Sequence, residues 1–241
     1  MRAEESFAEA LDQAARTAEP VQQPGAGFAV ETAYAVQARI IGHRIGRGER
    51  ISGAKLGFTS QAKRVQMGVD DLIIGRVTDA MAVHDPVDLT RFIHPRVEPE
   101  VVFKLGADLQ PVAVAVGLEI IDSRYRDFTF SLSDVIADNT SAAGYAIGPW
   151  QPYTDVSNLG VIMEFDGRPI QIGSTAAILG DPRLALPEAA RLARVAGFAL
   201  EPGWILMAGA ATAAEPLRPG VHVRAEIEGL GSVSFTAKES A

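Results

Sequence analysis

Apolar residues recur at helical spacing in three stretches of the chain, and much of the remainder alternates apolar with polar or small residues. "ESFAEALDQAARTA" (5–18) and "TAYAVQARIIGHRI" (32–45) carry the spacing of amphipathic helices, with Thr32 as N-cap of the second. The punctuation "EPVQQPGAG" follows the first of them. A third helix is predicted over "LALPEAARLARVAGFAL" (184–200), ending near Gly197. After "GRGER" the character changes, and strands are predicted over 97–105, 112–121, 160–165, 203–208 and 221–227. The order predicts an α+β chain: a small N-terminal helical region, residues 1–50, followed by a single mixed, β-rich domain, residues 51–241.

One strand breaks the apolar pattern. In "HPRVEPEVVFKL" (94–105), Val97, Val101, Phe103 and Leu105 share one face, which places Glu98 and Glu100 together on the other. Two adjacent carboxylates repel, and their burial costs free energy unless a positive charge lies between them. In "PVAVAVGLEIIDSR", Glu119 falls on the face carrying the smallest residues, Ala113, Ala115 and Gly117. The turn "GADLQ" makes the two strands near neighbours, so three glutamates converge. Three carboxylates suit a hard divalent cation such as Mg²⁺ or Mn²⁺. A solvated sheet face with scattered acids gives the same alternation, and Pro99 also admits an edge strand or a bulge.

Composition narrows the chemistry. The chain has 241 residues, 47% of them hydrophobic and 22% charged, with a net charge of −8. That charge disfavours a broad electrostatic grip on nucleic acid or an anionic membrane. With no cysteine, thiolate metal sites, disulfides and cysteine nucleophiles are excluded. The N-terminal stretch has acids where an export signal has its apolar core, and no apolar run approaches membrane-spanning length. A cytoplasmic protein is expected.

Two further clusters stand out. Lys55 lies in "SGAKLGF", flanked by Gly53 and Gly57, which permit close backbone approach. It reads either as an ammonium facing the acidic site or as a snorkelling lysine at a strand end. Lys63 and Arg64 read as solvated. Asp138, Asn139, Thr140 and Ser141 are consecutive, and read either as an Asx turn or helix cap or as a loop that hydrogen-bonds an anionic ligand. The four histidines show no metal or triad spacing, and no G-x-S-x-G elbow or nucleotide-binding fingerprint is present.

Taken together, "GAKLGFTS", "GVDDLIIGRVTDAM", "HPRVEPEVVF", "GLEIIDSRY", "DVIADNTSAAGYAIG" and "LRPGVHVRAEIEGLGSVSF" resemble the 2-keto-4-pentenoate hydratase / 4-oxalocrotonate decarboxylase family. This family lies within the fumarylacetoacetate hydrolase-like superfamily, and the resemblance runs in order along nearly the whole chain. It implies a mixed β-roll core behind a smaller helical region, a homo-oligomer, and dependence on Mg²⁺ or Mn²⁺. It also implies metal ligation by Glu98, Glu100 and Glu119, an active-site lysine at Lys55, and a substrate pocket lined by Asp138, Asn139 and Ser141. Thr212 is a further candidate for substrate contact, as are Arg96 and Arg124, both also readable as structural ion-pair residues. The family has a longer, helix-containing segment between the E-x-E strand and the third glutamate. Here 18 residues separate Glu100 from Glu119, a shortening expected to alter the pocket wall or weaken the metal.

The two branches of that family act on small anionic 2-oxo acids in aromatic meta-cleavage catabolism. Hydratases resemble one another in an Asp-aromatic-Gly motif whose aspartate helps activate water; this chain has Ile73-Ile74-Gly75 there. "SRYRDFTFSLSDVIADN" looks more like the decarboxylase branch, and an apolar wall suits departure of a carboxylate. The expectation is a lyase that decarboxylates a 2-oxo-3-enedioate to a 2-hydroxydienoate. The alternatives are a 2-hydroxypenta-2,4-dienoate hydratase, or a non-catalytic partner subunit in a complex with a sister hydratase or decarboxylase. Hydrolysis of acylpyruvates normally needs a Glu-His water activator, which is not apparent.

Overall fold

The computed structural model describes residues 2–24, 27–61, 64–65 and 68–239. Two helices open it, α1 (Arg2–Thr17) and α2 (Val30–Gly46). Strands β1 (Ile51–Gly57), β2 (Ile73–Thr78), β3 (Val87–Asp88), β4 (Arg96–Leu105) and β5 (Pro111–Ile121) follow. A short helix α3 (Leu132–Ala137) precedes β6 (Ala142–Ile147), β7 (Gln151–Pro152), β8 (Gly160–Phe165) and β9 (Arg168–Ser174). Helix α4 (Ala185–Val195) leads into β10 (Ile205–Ala210), β11 (Glu215–Pro216), β12 (His222–Ile227) and β13 (Gly231–Lys238).

The larger sheet runs β2-β1-β10-β4-β5-β6, with β11 added to β4 and β7 to β5; the second runs β3-β13-β12-β8-β9. Val97, Val101, Phe103, Val114, Val116, Leu118 and Ile120 from the first meet Val161, Met163, Val223, Ala225 and Phe235 from the second in one core. Ala8 and Leu11 of α1 and Val36 and Ile40 of α2 belong to that core too. Ion pairs from Arg39 to Glu5 and from Arg47 to Asp12 fasten α1 to α2.

The predicted strands over 97–105, 112–121, 160–165 and 221–227 form within a residue of their expected bounds. The strand expected over 203–208 is displaced to 205–210, because Gly203 sits at φ +83° in a turn closed by Trp204 N donating to Glu201 O. Helix α2 begins two residues before Thr32: Ala33 N donates to Ala29 O, so Ala29 is the cap and contributes no side-chain bond. The helix predicted over 184–200 stops where Gly197, at φ +77°, lets Phe198 N return to Ala193 O.

Strand β2 forms one edge of the larger sheet, and side chains seal it. Gln37 Nε2 donates to Ile74 O and Ile136 O, both at 3.0 Å, and Tyr34 Oη accepts from Ile74 N. Asn139 exchanges two bonds with the Arg76 backbone, accepting from its N at 2.9 Å and donating to its O at 2.8 Å. An amide side chain there replaces a neighbouring strand. On the same strand, the Arg76 side chain is buried, stacked 4.8 Å from the Phe198 ring centroid, with Nε and Nη2 lacking any acceptor among the described residues. Burial lowers its pKa to about 10. Replacing an uncompensated buried cation by an apolar side chain of similar length relieves its desolvation. Arg76→Met is expected to stabilise the fold by about 2 kcal/mol, or roughly 4–8 °C in Tm. Calorimetry showing equal or lower Tm would mean that stacking on Phe198 already offsets the desolvation.

Candidate metal centre

Antiparallel pairing of β4 and β5 sets Glu98 directly opposite Glu119, and Glu100 opposite Gly117. The five residues between the strands close the hairpin through Gly106 N to Gln110 O at 2.8 Å and Leu109 N to Gly106 O at 3.0 Å. The short connection therefore sets the register that brings the third glutamate to the first two. Each of the three supplies a carboxylate oxygen, and these oxygens lie within 4.8 Å of one another. Glu100 and Glu119 are buried, while Glu98 is half-buried.

Lys55 reaches this group from β1. It stands in the middle of the strand, not in a turn or at a strand end: it pairs in parallel with Met207 on β10 and antiparallel with Gly75 on β2. Its Nζ lies 3.1 Å from Glu119 Oε2 and donates to Thr140 O at 3.0 Å. The flanking glycines have steric causes. A Cβ on Gly53 would meet Ile205 O at 2.2 Å, and one on Gly57 would meet Ile73 and Thr140 side-chain carbons at 2.8 Å. Strands β1 and β10 can therefore lie close, and Lys55 is carried to the face of the carboxylates.

The electrostatics follow from burial. Desolvation would lower the Lys55 pKa, but Glu119, Glu98 and Glu100 outweigh it and hold the ammonium above the ordinary lysine value. Burial, then the charges of Glu119 and Glu98, pushes Glu100 well above the usual carboxylate range. Burial also raises Glu119, against the opposing pull of Lys55. Glu100 Oε2 accepts from Gly209 N at 2.9 Å, whereas Glu100 Oε1 and Glu119 Oε1 meet no donor among the described residues. Three carboxylates and one ammonium leave two net negative charges when ionised, the charge that a divalent cation balances. The unmet oxygens and the all-oxygen donor set fit such an ion.

The other sequence-predicted residues take different places. Asp138 pairs with Arg124, accepting from both its backbone N and its Nε; burial outweighs that pairing and pushes its pKa up to about 6. With Asn139 engaged at the β2 edge, Asp138 and Asn139 build the turn that carries Thr140 O to Lys55, the turn alternative of the sequence reading. Asn139, Thr140 and Ser141 all have left-handed φ, at 49°, 56° and 58°. The hydroxyls of Thr140 and Ser141 are buried without a hydrogen-bond partner among the described residues, next in sequence to the Asp138–Asn139 anchor. Thr212 donates to Ala213 O, one residue past Ala211, whose N bonds Pro99 O between the two strand glutamates. Arg96 stacks 5.4 Å from the Phe128 ring centroid. Arg64 is half-buried, donating to Phe58 O and Thr59 O, and is not solvated as expected; Lys63 lies outside the described residues.

Sequence reasoning missed the Gly209 amide and the Thr140 carbonyl, because backbone groups leave no side-chain signal. Gly209 had one available clue, a glycine within "LMAGAATAA": a Cβ there would meet Thr59 Oγ1 at 2.1 Å, and its φ is +111°.

An α+β fold of mixed sheets behind N-terminal helices is the architecture of a known family. The model of the fumarylacetoacetate (FAA) hydrolase C-terminal family matches residues 50–237, and the chain belongs to that family. Its relatives include a 4-oxalocrotonate decarboxylase of a Pseudomonas species, 52% identical over 95% of this chain and 96% of that protein. A 2-keto-4-pentenoate hydratase of Paraburkholderia xenovorans is 34% identical over 95% and 93%. The solved 4-oxalocrotonate decarboxylase from Pseudomonas putida G7, complexed with magnesium and adipate, superposes with a TM-score of 0.92 at 31% identity, covering 98% of this chain and 97% of that one. Among the described residues, no helix is long and apolar enough to cross a membrane.

Proposed function

We propose that the chain is a divalent-metal-dependent lyase that decarboxylates a 2-oxohex-3-enedioate to 2-hydroxypenta-2,4-dienoate, with Mg²⁺ or Mn²⁺ as cofactor. The observation that carries the reading is the convergence of Glu98, Glu100 and Glu119 beside the buried Lys55, in a chain 52% identical to a 4-oxalocrotonate decarboxylase. Glu98, Glu100 and Glu119 would hold the cation, which when bound supplies a Lewis acid for the 2-oxo acid end of the substrate.

The chain's own groups would do the rest. The substrate is a vinylogous β-keto acid: the C5–C6 bond breaks, CO₂ leaves, and its electron pair moves through the conjugated chain to the C2 oxygen, which takes a proton. Lys55, held as ammonium between Glu119 Oε2 and Thr140 O, would face the developing negative charge and place that proton. The partnerless hydroxyls of Thr140 and Ser141 would hydrogen-bond the substrate.

Decarboxylation is favoured over hydration by the wall beside Lys55. Ile73 stands opposite Gly57 and shares a sheet face with Gly75 and Lys55, so a buried alkyl group occupies the first position of the hydratase-like Asp-aromatic-Gly motif. No carboxylate at that position activates water, and the apolar surface favours loss of charge from the departing carboxylate. Enzymatically generated 2-oxohex-3-enedioate with Mg²⁺ is expected to release CO₂ stoichiometrically with substrate loss, and 2-hydroxypenta-2,4-dienoate to accumulate unhydrated. Water addition to the dienoate without CO₂ release would replace this reading by the hydratase one.

A further inference from the structure

We propose that the cleft between the C-terminal ends of α1 and α2 and the larger sheet binds a compact dianion, a short dicarboxylate or a phosphate, at a site separate from the carboxylate centre. The cavity has a volume of about 350 Å³, and five arginines line it: Arg16, Arg44, Arg47, Arg91 and Arg124. The acids on its wall are Glu49 and Asp122. In a chain of net charge −8, so many cations around one small concavity form a local centre of the opposite sign.

The internal pairing of these groups is uneven. Arg44 pairs with Glu49 at 2.9 Å, Arg47 clamps Asp12 through both terminal nitrogens at 2.6 and 2.7 Å, and Arg124 holds Asp138. Asp122 is spent on the backbone, accepting from Ile93 N at 2.8 Å and His94 N at 2.9 Å. Arg16 and Arg91 have no ion-pair partner among the described residues, and stand on different elements, the end of α1 and the turn after β3. Two guanidiniums without an acid partner, on separate elements that line the same cleft as the buried Arg124, are the groups that take carboxylate or phosphate oxygens. The volume lies in the range of small-ligand pockets and accommodates a four-carbon dicarboxylate or a phosphate.

The site also has a position relevant to the carboxylate centre. Arg124 Nη1 and Nη2 donate to Ala142 O and Asp138 O, so the floor of the cleft is the reverse side of the turn that presents Thr140 O to Lys55. Occupancy of the cleft would rest against the residues that hold that turn.

Titration calorimetry on the full chain, stripped of metal over a chelating resin, tests the proposal with succinate and inorganic phosphate separately and acetate as the single-charge control. Without metal, the centre sets three carboxyl groups against one ammonium and offers a dianion no net positive charge, so it does not compete. Saturable binding of succinate, phosphate or both, weakened about tenfold or more in Arg16→Ser/Arg91→Ser and retained in Glu98→Gln, is the expected result; whichever anion binds identifies the source. Both arginines are exposed, so the double variant is expected to fold and to keep its basal turnover. No saturable heat from either dianion up to about 5 mM, where an affinity below about 3 kcal/mol is too weak to count as a site, overturns the proposal. So does equal affinity in the double variant, or acetate binding as tightly as succinate and phosphate.

Discussion

Glu100→Gln is expected to abolish activity while stabilising the metal-free protein. Removing one of three carboxylate ligands forfeits most of the Lewis-acid contribution, so turnover should fall about 10³-fold or more. The metal-free fold should respond in the opposite sense. Glu100 is buried against Glu98 and Glu119, one oxygen lacks a donor, and its pKa stands well above the carboxylate range. Glutamine removes a like charge from a buried carboxylate cluster, worth about 1–3 kcal/mol. The pH dependence has a definite sign. A carboxyl whose pKa is raised by folding is more protonated in the folded than in the unfolded state, so stability falls as pH rises from the unfolded value of about 4.5 into the raised range. Metal-free wild type should therefore lose stability across that window, and Glu100→Gln should flatten the loss. Denaturant melts at several pH values, with and without Mg²⁺, check both halves. An apo variant less stable than wild type would mean that the carboxylate bond to Gly209 N outweighs the repulsion it sits in.

The legibility of this site in the sequence divides along a physical line. Glu98 and Glu100 were readable because alternation is local: a strand that buries Val97, Val101 and Phe103 must place both acids on its other face. Glu119 was readable because a short turn makes neighbouring strands pair, although only register decides that it stands opposite Glu98 rather than a residue away. Lys55 was visible as a lysine between glycines, with one reading that faced it to the acidic site, but which carboxylate it meets was not. The lysine arrives through a parallel contact with β10, some 150 residues distant, and no local pattern encodes a parallel pairing of that separation. The run 138–141 shows the opposite limit. Its polar composition marks a special turn, yet composition does not distinguish a side chain that meets a ligand from one that holds the backbone. Asp138 and Asn139 are spent on Arg124 and on the β2 edge. Thr140 meets Lys55 through its carbonyl, a group that every residue possesses.

Lys55→Met separates catalysis from metal binding, which Glu100→Gln does not. If Lys55 acts on the developing negative charge, its loss should lower kcat by about 10²–10⁴-fold. The metal site itself should not weaken. Lys55 lies 3.1 Å from Glu119 Oε2, and a cation so close to a ligand opposes the entry of a second one. Its removal leaves three ionised carboxylates without their ammonium, so Mg²⁺ should bind as tightly as before or more tightly. Stability of the metal-free variant should fall by about 3–5 kcal/mol near neutral pH, the cost of orphaning one partner of a buried ion pair. That cost should shrink as pH falls, because Glu119, already raised by burial, takes up a proton and no longer needs a counter-charge. Saturating Mg²⁺ should restore the Tm without restoring turnover. Calorimetric Mg²⁺ titration beside steady-state kinetics makes the distinction. Activity and Mg²⁺ affinity lost together would make Lys55 a positioning residue for Glu119, whereas activity retained at full metal occupancy would remove it from the reaction.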